Sequence, residues 1–139
     1  MNDRTLADRF ALQDVMATYA ASVDERDLER YRGCFAADVE VVGFARETIR
    51  GVDAWTAFVT QALDAFTATQ HLLGLQRATV AGDTAHARTD VQAHHFMKEP
   101  KGSTFTLWAT YETDFVRTGA GWRIKRHELV TRGSQRSAP

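Results

Sequence analysis

One cysteine, no long apolar run and almost no net charge mark this 139-residue chain by what it lacks. A lone thiol, Cys34, cannot close an internal disulfide. No stretch approaches the ~20 apolar residues of a membrane helix, so no membrane partner is expected. The opening Met1, Asn2, Asp3 and Arg4 lead into an amphipathic segment and not a signal-peptide core, and the cytoplasm is the expected compartment. A formal charge of -1 supplies no field for phosphate backbones or anionic lipid, which argues against nucleic acid as a partner. No internal repeat, linker or His-x-x-x-His spacing occurs. What is present is ordinary for a globular domain: 44% hydrophobic and 25% charged residues, enough to bury a core.

Periodicity divides the chain into a helical first half and a strand-rich second half. Leu12, Val15, Met16, Tyr19 and Val23 recur three and four apart, predicting a helix from about Thr5 to Ala21 with Asn2 and Asp3 at its cap. That pattern ends too soon for a coiled-coil seam. Leu28, Tyr31 and Phe35 share a face of a second short helix, which Asp24 is placed to cap and Gly33 to weaken. Val39, Val41 and Val42 predict a short strand, followed by a segment over 46–50 and a turn at Gly51. Trp55, Phe58, Val59, Ala62, Leu63 and Phe66 form the strongest helical face, with Asp53 near its start.

From His71 the period becomes two. Gly82-Asp83, Pro100-Lys101-Gly102 and Gly119-Ala120-Gly121 are turn signals that divide the remainder into four hairpin-linked strands. The clearest runs from Ser103 to Arg117, where Phe105, Leu107, Ala109, Tyr111 and Phe115 alternate with Thr106, Thr110, Glu112 and Asp114. At ~3.3 Å per residue such a strand spans about 50 Å and has to bend. The expected architecture is therefore α+β: three helices on the concave side of a strongly bent, mainly antiparallel sheet, enclosing one mostly apolar pocket. A single domain over 1–132 and a disordered tail over 133–139 are expected.

Parity selects the inward polar groups. On the strand from Thr84 to Met97, Ala85, Ala87, Thr89, Val91, Ala93, His95 and Met97 share one face, whereas His86, Arg88, Asp90, Gln92 and His94 share the other. The small apolar set faces the helices, so His95 points inward and His94 outward unless a bulge intervenes. Taken singly, each candidate has a structural role: His95 as a satisfied core histidine, His71 as a surface residue at a helix-strand junction, Asp24 as a cap. Their convergence over one cavity would give something else. A carboxylate beside an imidazole fixes its tautomer and favours its cation, keeping the ring basic enough to take a proton.

Asp24-Glu25-Arg26-Asp27 with Cys34 ten residues after Asp24, Thr69-Gln70-His71, His95 and Gly121-Trp122-Arg123-Ile124 resemble the SnoaL-like group of the nuclear-transport-factor-2-like superfamily, which includes scytalone dehydratase. The resemblance runs from Leu6 to Thr131. It implies a cone-shaped α+β barrel and cofactor-free lyase chemistry in which His71 is the base, Asp24 orients it and His95 assists, with His94 the competing match for the last role. Two tyrosines that hold a water on the substrate carbonyl in scytalone dehydratase fall near Val23 and Gly43, and its later serine and asparagine have no match near Ala109 and Tyr111. The resemblance thus keeps the acid-base groups and changes the carbonyl grip, implying a different substrate. Tyr19 and Tyr111 are expected to supply phenolic donors, and Phe58 and Val91 apolar contacts.

The leading expectation is dehydration of a hydrophobic cyclic ketone or polyketide-like molecule without cofactor. Isomerisation or cyclisation would use the same proton abstraction. Steroid-isomerase relatives need an inward aspartate, but Asp90 and Asp114 have outward parity; an epoxide-hydrolase Asp-Arg-Asp set fails similarly at Arg88 and Asp90. A non-catalytic binding or accessory subunit is the reading from a different class. Two histidines and a carboxylate match a metal-binding triad in type, but relatives with this trio lack metal, and none is expected. Cys34, on the buried side of a short helix, is expected to be inert. Trp108 on the outer face points to a partner there, a homodimer or else a trimer.

Overall fold

The computed structural model describes residues 2–139. Helix α1 spans Asp3–Asp24, α2 Leu28–Arg32 and α3 Val52–Leu63; the strands are β1 Phe35–Val42, β2 Ile49–Arg50, β3 Phe66–Ala81, β4 Thr84–Met97, β5 Thr104–Thr118 and β6 Gly121–Ser137. They form one six-stranded sheet in the order β2-β1-β6-β5-β4-β3, in which only the β1-β6 pair is parallel. Register shifts at Leu73/Gln76, Trp108/Ala109 and Asp114/Phe115 interrupt the long ladders, as curvature in so long a sheet requires. Among the described residues no helix is long and apolar enough to cross a membrane.

Alternation on β4 is as expected: Ala85, Ala87, Thr89, Val91 and Ala93 are buried, while their odd-even neighbours from Thr84 to Gln92 are exposed. They meet Leu12, Met16 and Val23 of α1, Trp55 and Val59 of α3, and Phe115 and Ile124 of β5 and β6 in one core. Asn2 caps α1, accepting from the Thr5 amide at 2.8 Å.

Five local expectations differ from the structure. The α1 helix runs to Asp24, and Asp27, not Asp24, caps α2 by accepting from the Arg30 amide. Phe35 opens β1 instead of closing α2, because the Cys34 carbonyl is taken by the Ile124 amide at 2.8 Å and draws the chain onto β6. Phe66 likewise begins β3, so the alternating segment starts before His71. Residues 133–137 are strand, paired from Trp108↔Gly133 to Thr104↔Ser137. Their polar side chains carry no apolar signal, but the β5 edge presents unpaired backbone groups that this segment satisfies.

Asp8 fastens the first turns of α1 to the far end of the sheet. Arg117 grips both its oxygens, at 2.7 and 2.8 Å, and Trp122 Nε1 donates at 3.2 Å. The Arg117 guanidinium lies 4.4 Å from the Trp122 ring and also reaches Asp83. The Arg117 hydrogen bond leads in holding the Asp8 carboxyl down to about 2, against burial that opposes it. A carboxyl depressed in the folded state stabilises above its ordinary value of 3.8 and loses that contribution as pH falls through about 2. Asp8→Asn should therefore lower the melting temperature at neutral pH, and the gap from the parent should close as pH falls from 3.8 towards 2 in circular-dichroism melts. A gap independent of pH would show that the carboxylate charge is not what fastens the helix.

Candidate active site

Asp24 is the last residue of α1, and its carboxylate is held by two residues of β3. Thr69 and His71 stand two apart on the strand, so their side chains share a face. Thr69 Oγ1 donates to Asp24 Oδ1 at 3.0 Å, the His71 amide donates to Oδ2 at 2.8 Å, and His71 Nδ1 lies 2.7 Å from Oδ1. Burial raises the Asp24 pKa, but the hydrogen bonds from the His71 ring and backbone, its charge and the Thr69 hydroxyl outweigh it, and the net direction is down. An ionised carboxylate only accepts, so Nδ1 of His71 carries a proton and, in the neutral ring, Nε2 carries the lone pair.

His95 lies across from it, ring centroids 6.1 Å apart and planes at 76°. Its Nδ1 is 2.9 Å from the Phe105 carbonyl, which also only accepts, so the neutral His95 presents an Nε2 lone pair as well. Burial pushes its pKa below the ordinary 6.5, with the Phe105 bond pulling the other way and the His71 charge adding to the depression. His94 is on the opposite face, 2.6 Å from Thr106 Oγ1, away from the cavity.

Both rings line a cavity of about 150 Å³ walled largely by Tyr19, Tyr31, Phe44, Trp55, Phe58 and Tyr111. A void of that order holds one benzene-sized molecule. No lysine or arginine is among its lining residues. Tyr19, Tyr111 and Phe58 line the cavity, but Val91 does not: it is 4% exposed within the core, and Ala93, two residues along β4, takes the lining position. Tyr31 and Trp55 read as helix-face residues in the sequence, and Phe44 lies in a segment without periodicity, so neither pattern distinguishes a lining residue. Asp90 and Asp114 are on the outer face, with Thr110 and His86 as partners.

His127 carries no comparable signal in the sequence. It is completely buried, with Nε2 3.0 Å from the Tyr19 hydroxyl and Nδ1 2.9 Å from Thr113 Oγ1, and its ring packs 4.6 Å from Tyr111. Burial pushes its pKa down to about 3, making it a neutral strut under the cavity. The Tyr31 and Tyr111 phenols are held well above their ordinary value by burial and stay protonated donors. Burial likewise lifts the Cys34 thiol to about 11, which removes it as a nucleophile. Among the described residues no three His, Cys, Asp or Glu side chains converge as metal ligands.

A family model described as a SnoaL-like domain matches residues 4–128. An uncharacterized protein of Mycobacterium tuberculosis is 28% identical over 125 residues, 87% of this chain and 83% of that protein. A Novosphingobium aromaticivorans protein provisionally named a scytalone dehydratase superposes with a TM-score of 0.90 at 24% identity, covering 100% of this chain and 93% of its own. A hexachlorocyclohexane dehydrochlorinase of Novosphingobium barchaimii does so at 0.86 and 20%, covering 96% and 92%. At these identities the structural likeness establishes the fold.

The histidine environments predict distinct titrations in nitrogen-detected NMR of histidine-labelled protein. His127 should stay neutral down to about pH 3, and the His95 midpoint should lie below 6.5. A His95 that titrates above 6.5 would contradict its placement as a buried acceptor.

Proposed function

The chain belongs to the SnoaL-like domain family, and from that premise we propose that it is a cofactor-independent acid-base enzyme, a dehydratase acting on a small neutral ring ketone. The observation that carries the reading is the contact of His71 Nδ1 with Asp24 Oδ1 at 2.7 Å on an imidazole that lines an apolar cavity. In this reading Nε2 of His71 removes a proton from the carbon next to the carbonyl, and Asp24 stabilises the imidazolium that forms. The C–H electron pair becomes the new double bond, hydroxide leaves the adjacent carbon, and the His71 imidazolium returns the proton to it as water. Burial disfavours a cationic His95, so it serves as an acceptor that orients the substrate hydroxyl rather than as the acid. The protonated Tyr31 and Tyr111 phenols are the candidate donors to the developing enolate oxygen.

Cavity volume narrows the substrate class. About 150 Å³ suits a single ring better than a fused polyketide, and a lining without lysine or arginine suits an uncharged one. Turnover of neutral single-ring β-hydroxy ketones, followed through the absorbance of the conjugated product, is the direct assay. His71→Ala should lower kcat/KM by about 10²–10⁴-fold. Asp24→Asn should fall by up to about 10⁴-fold, because an amide can donate to Nδ1 and hold the wrong tautomer. A folded His71→Ala protein with full activity would remove the mechanism.

Isomerisation or ring closure is the second reading, favoured by the neutral His95: with one histidine left to move protons, return of the proton to carbon is the simpler cycle. Deuterium uptake from heavy water without loss of substrate hydroxyl would decide for it. The homodimer enters this proposal through the outer sheet face, where Leu72 and Trp108 are exposed on either side of Gln92 and Phe96 is exposed four residues further along β4. Light scattering should return twice the 15.6 kDa chain mass, and Trp108→Glu should return it to one. A parent protein already at the single-chain mass would rule the dimer out.

A further inference from the structure

We propose that Arg26 is a positioning residue for the Asp24–His71 pair, acting through the hydroxyl of Thr69. The inference rests on the dyad reading above and adds a residue to it. It starts from a backbone anomaly. The α1 helix ends with the Arg26 amide bonded to the Val23 carbonyl and the Asp27 amide to the Ser22 carbonyl, the paired closure in which the residue after the cap is left-handed. Arg26 occupies that position at φ 63°, and it is the only described residue other than glycine with positive φ. Glycine is the usual occupant, since a side chain there is strained.

A second local cost falls on the same residue. Nη2 of Arg26 is buried without a hydrogen-bond partner. Strained backbone and unsatisfied donors persist where something else is gained, and they gather at functional sites. What Arg26 gains is made by Nη1, which donates to the Val23 carbonyl at 2.8 Å and to Thr69 Oγ1 at 2.9 Å. A hydroxyl has one proton. With Arg26 donating to its oxygen, that proton is directed to Asp24 Oδ1, 3.0 Å away. The relay keeps Asp24 a pure acceptor towards His71 Nδ1 and places a cation behind the carboxylate.

A plain helix-capping role is the competing explanation, and glycine separates the two. Arg26→Gly suits the left-handed position and removes the relay. The readout is the ratio of the Nδ1–H to the Nε2–H tautomer of neutral His71 by NMR, with Asp24, Arg26 and His95 the charged or titratable groups around the ring and the Tyr19, Tyr31 and Tyr111 phenols across the cavity. Arg26→Gly should melt no lower than the parent while cutting that ratio by about tenfold, because the hydroxyl that steadies the carboxylate has lost its own donor. Thr69→Val should move it in the same direction, since that hydroxyl is then gone; the double variant should go no further than the larger single change. Arg26→Lys should restore the parent ratio.

An unchanged tautomer ratio in folded Arg26→Gly, or additive effects in the double variant, would overturn the relay. Asp24→Asn keeps the two failures apart. If it lowers the ratio while Arg26→Gly does nothing, the dyad stands and only Arg26 is wrongly assigned. If Asp24→Asn also does nothing, the dyad reading itself has failed.

Discussion

A single carboxylate, delivered by the last residue of a long helix and gripped by two residues of one strand, fixes the imidazole that lines the cavity. Asp24 accepts from a hydroxyl, a backbone amide and an imidazole, all from Thr69 and His71. The backbone contact matters most for precision. Because the His71 amide donates to one oxygen of Asp24 and the ring meets the other, the carboxylate that holds the ring is itself fixed against the His71 main chain. The imidazole orientation is thereby set by secondary structure, and its remaining nitrogen is left for the cavity.

Much of this was legible in the sequence because it depends on parity. Strand β4 keeps strict alternation through Ala93, which is enough to turn His95 inward and His94 outward. The helices, the hairpins and the bent mainly antiparallel sheet follow from periods of 3.6 and 2 and from three turn signals. The Asp24–His71 approach entered as a convergence and as what the family resemblance implied; an aspartate four residues before a helix also has a local use as a cap, and the fold reveals that Asp27 has taken that use. Phe44, Tyr31 and Trp55 escaped notice for another reason: an aromatic residue bordering a void and one in a packed core give the same pattern in a chain. His127 comes inward near the register shift at Asp114/Phe115, where simple counting along the strands fails.

The cavity and its neighbours show how burial separates three histidines of one type. His127 has no charged partner and is forced neutral, His95 is buried against a carbonyl and leans neutral, and His71 has a carboxylate at contact distance. Environment alone thus divides them into strut, acceptor and candidate base. The small volume is part of the same arrangement. Aromatic walls flank both rings, and the low polarity they bring strengthens each electrostatic contact and restricts what can enter.

Helix α1 then has a task beyond packing. Asp8 near one end is locked to Arg117 and Trp122, and Asp24 at the other end to β3, sixteen residues or about 24 Å apart at the rise of an α-helix. Pinned at only one end, the helix would have core packing alone to hold its register, and a hydrogen bond that starts at 2.7 Å is weakened once the separation passes about 3.2 Å. Pinning both ends against one sheet converts the rigidity of the helix into the placement of a single carboxylate. On this view the ion pair at Asp8, remote from the cavity, stabilises the fold and also holds the register in which Asp24 meets His71. Stability and chemistry here draw on the same element from opposite ends.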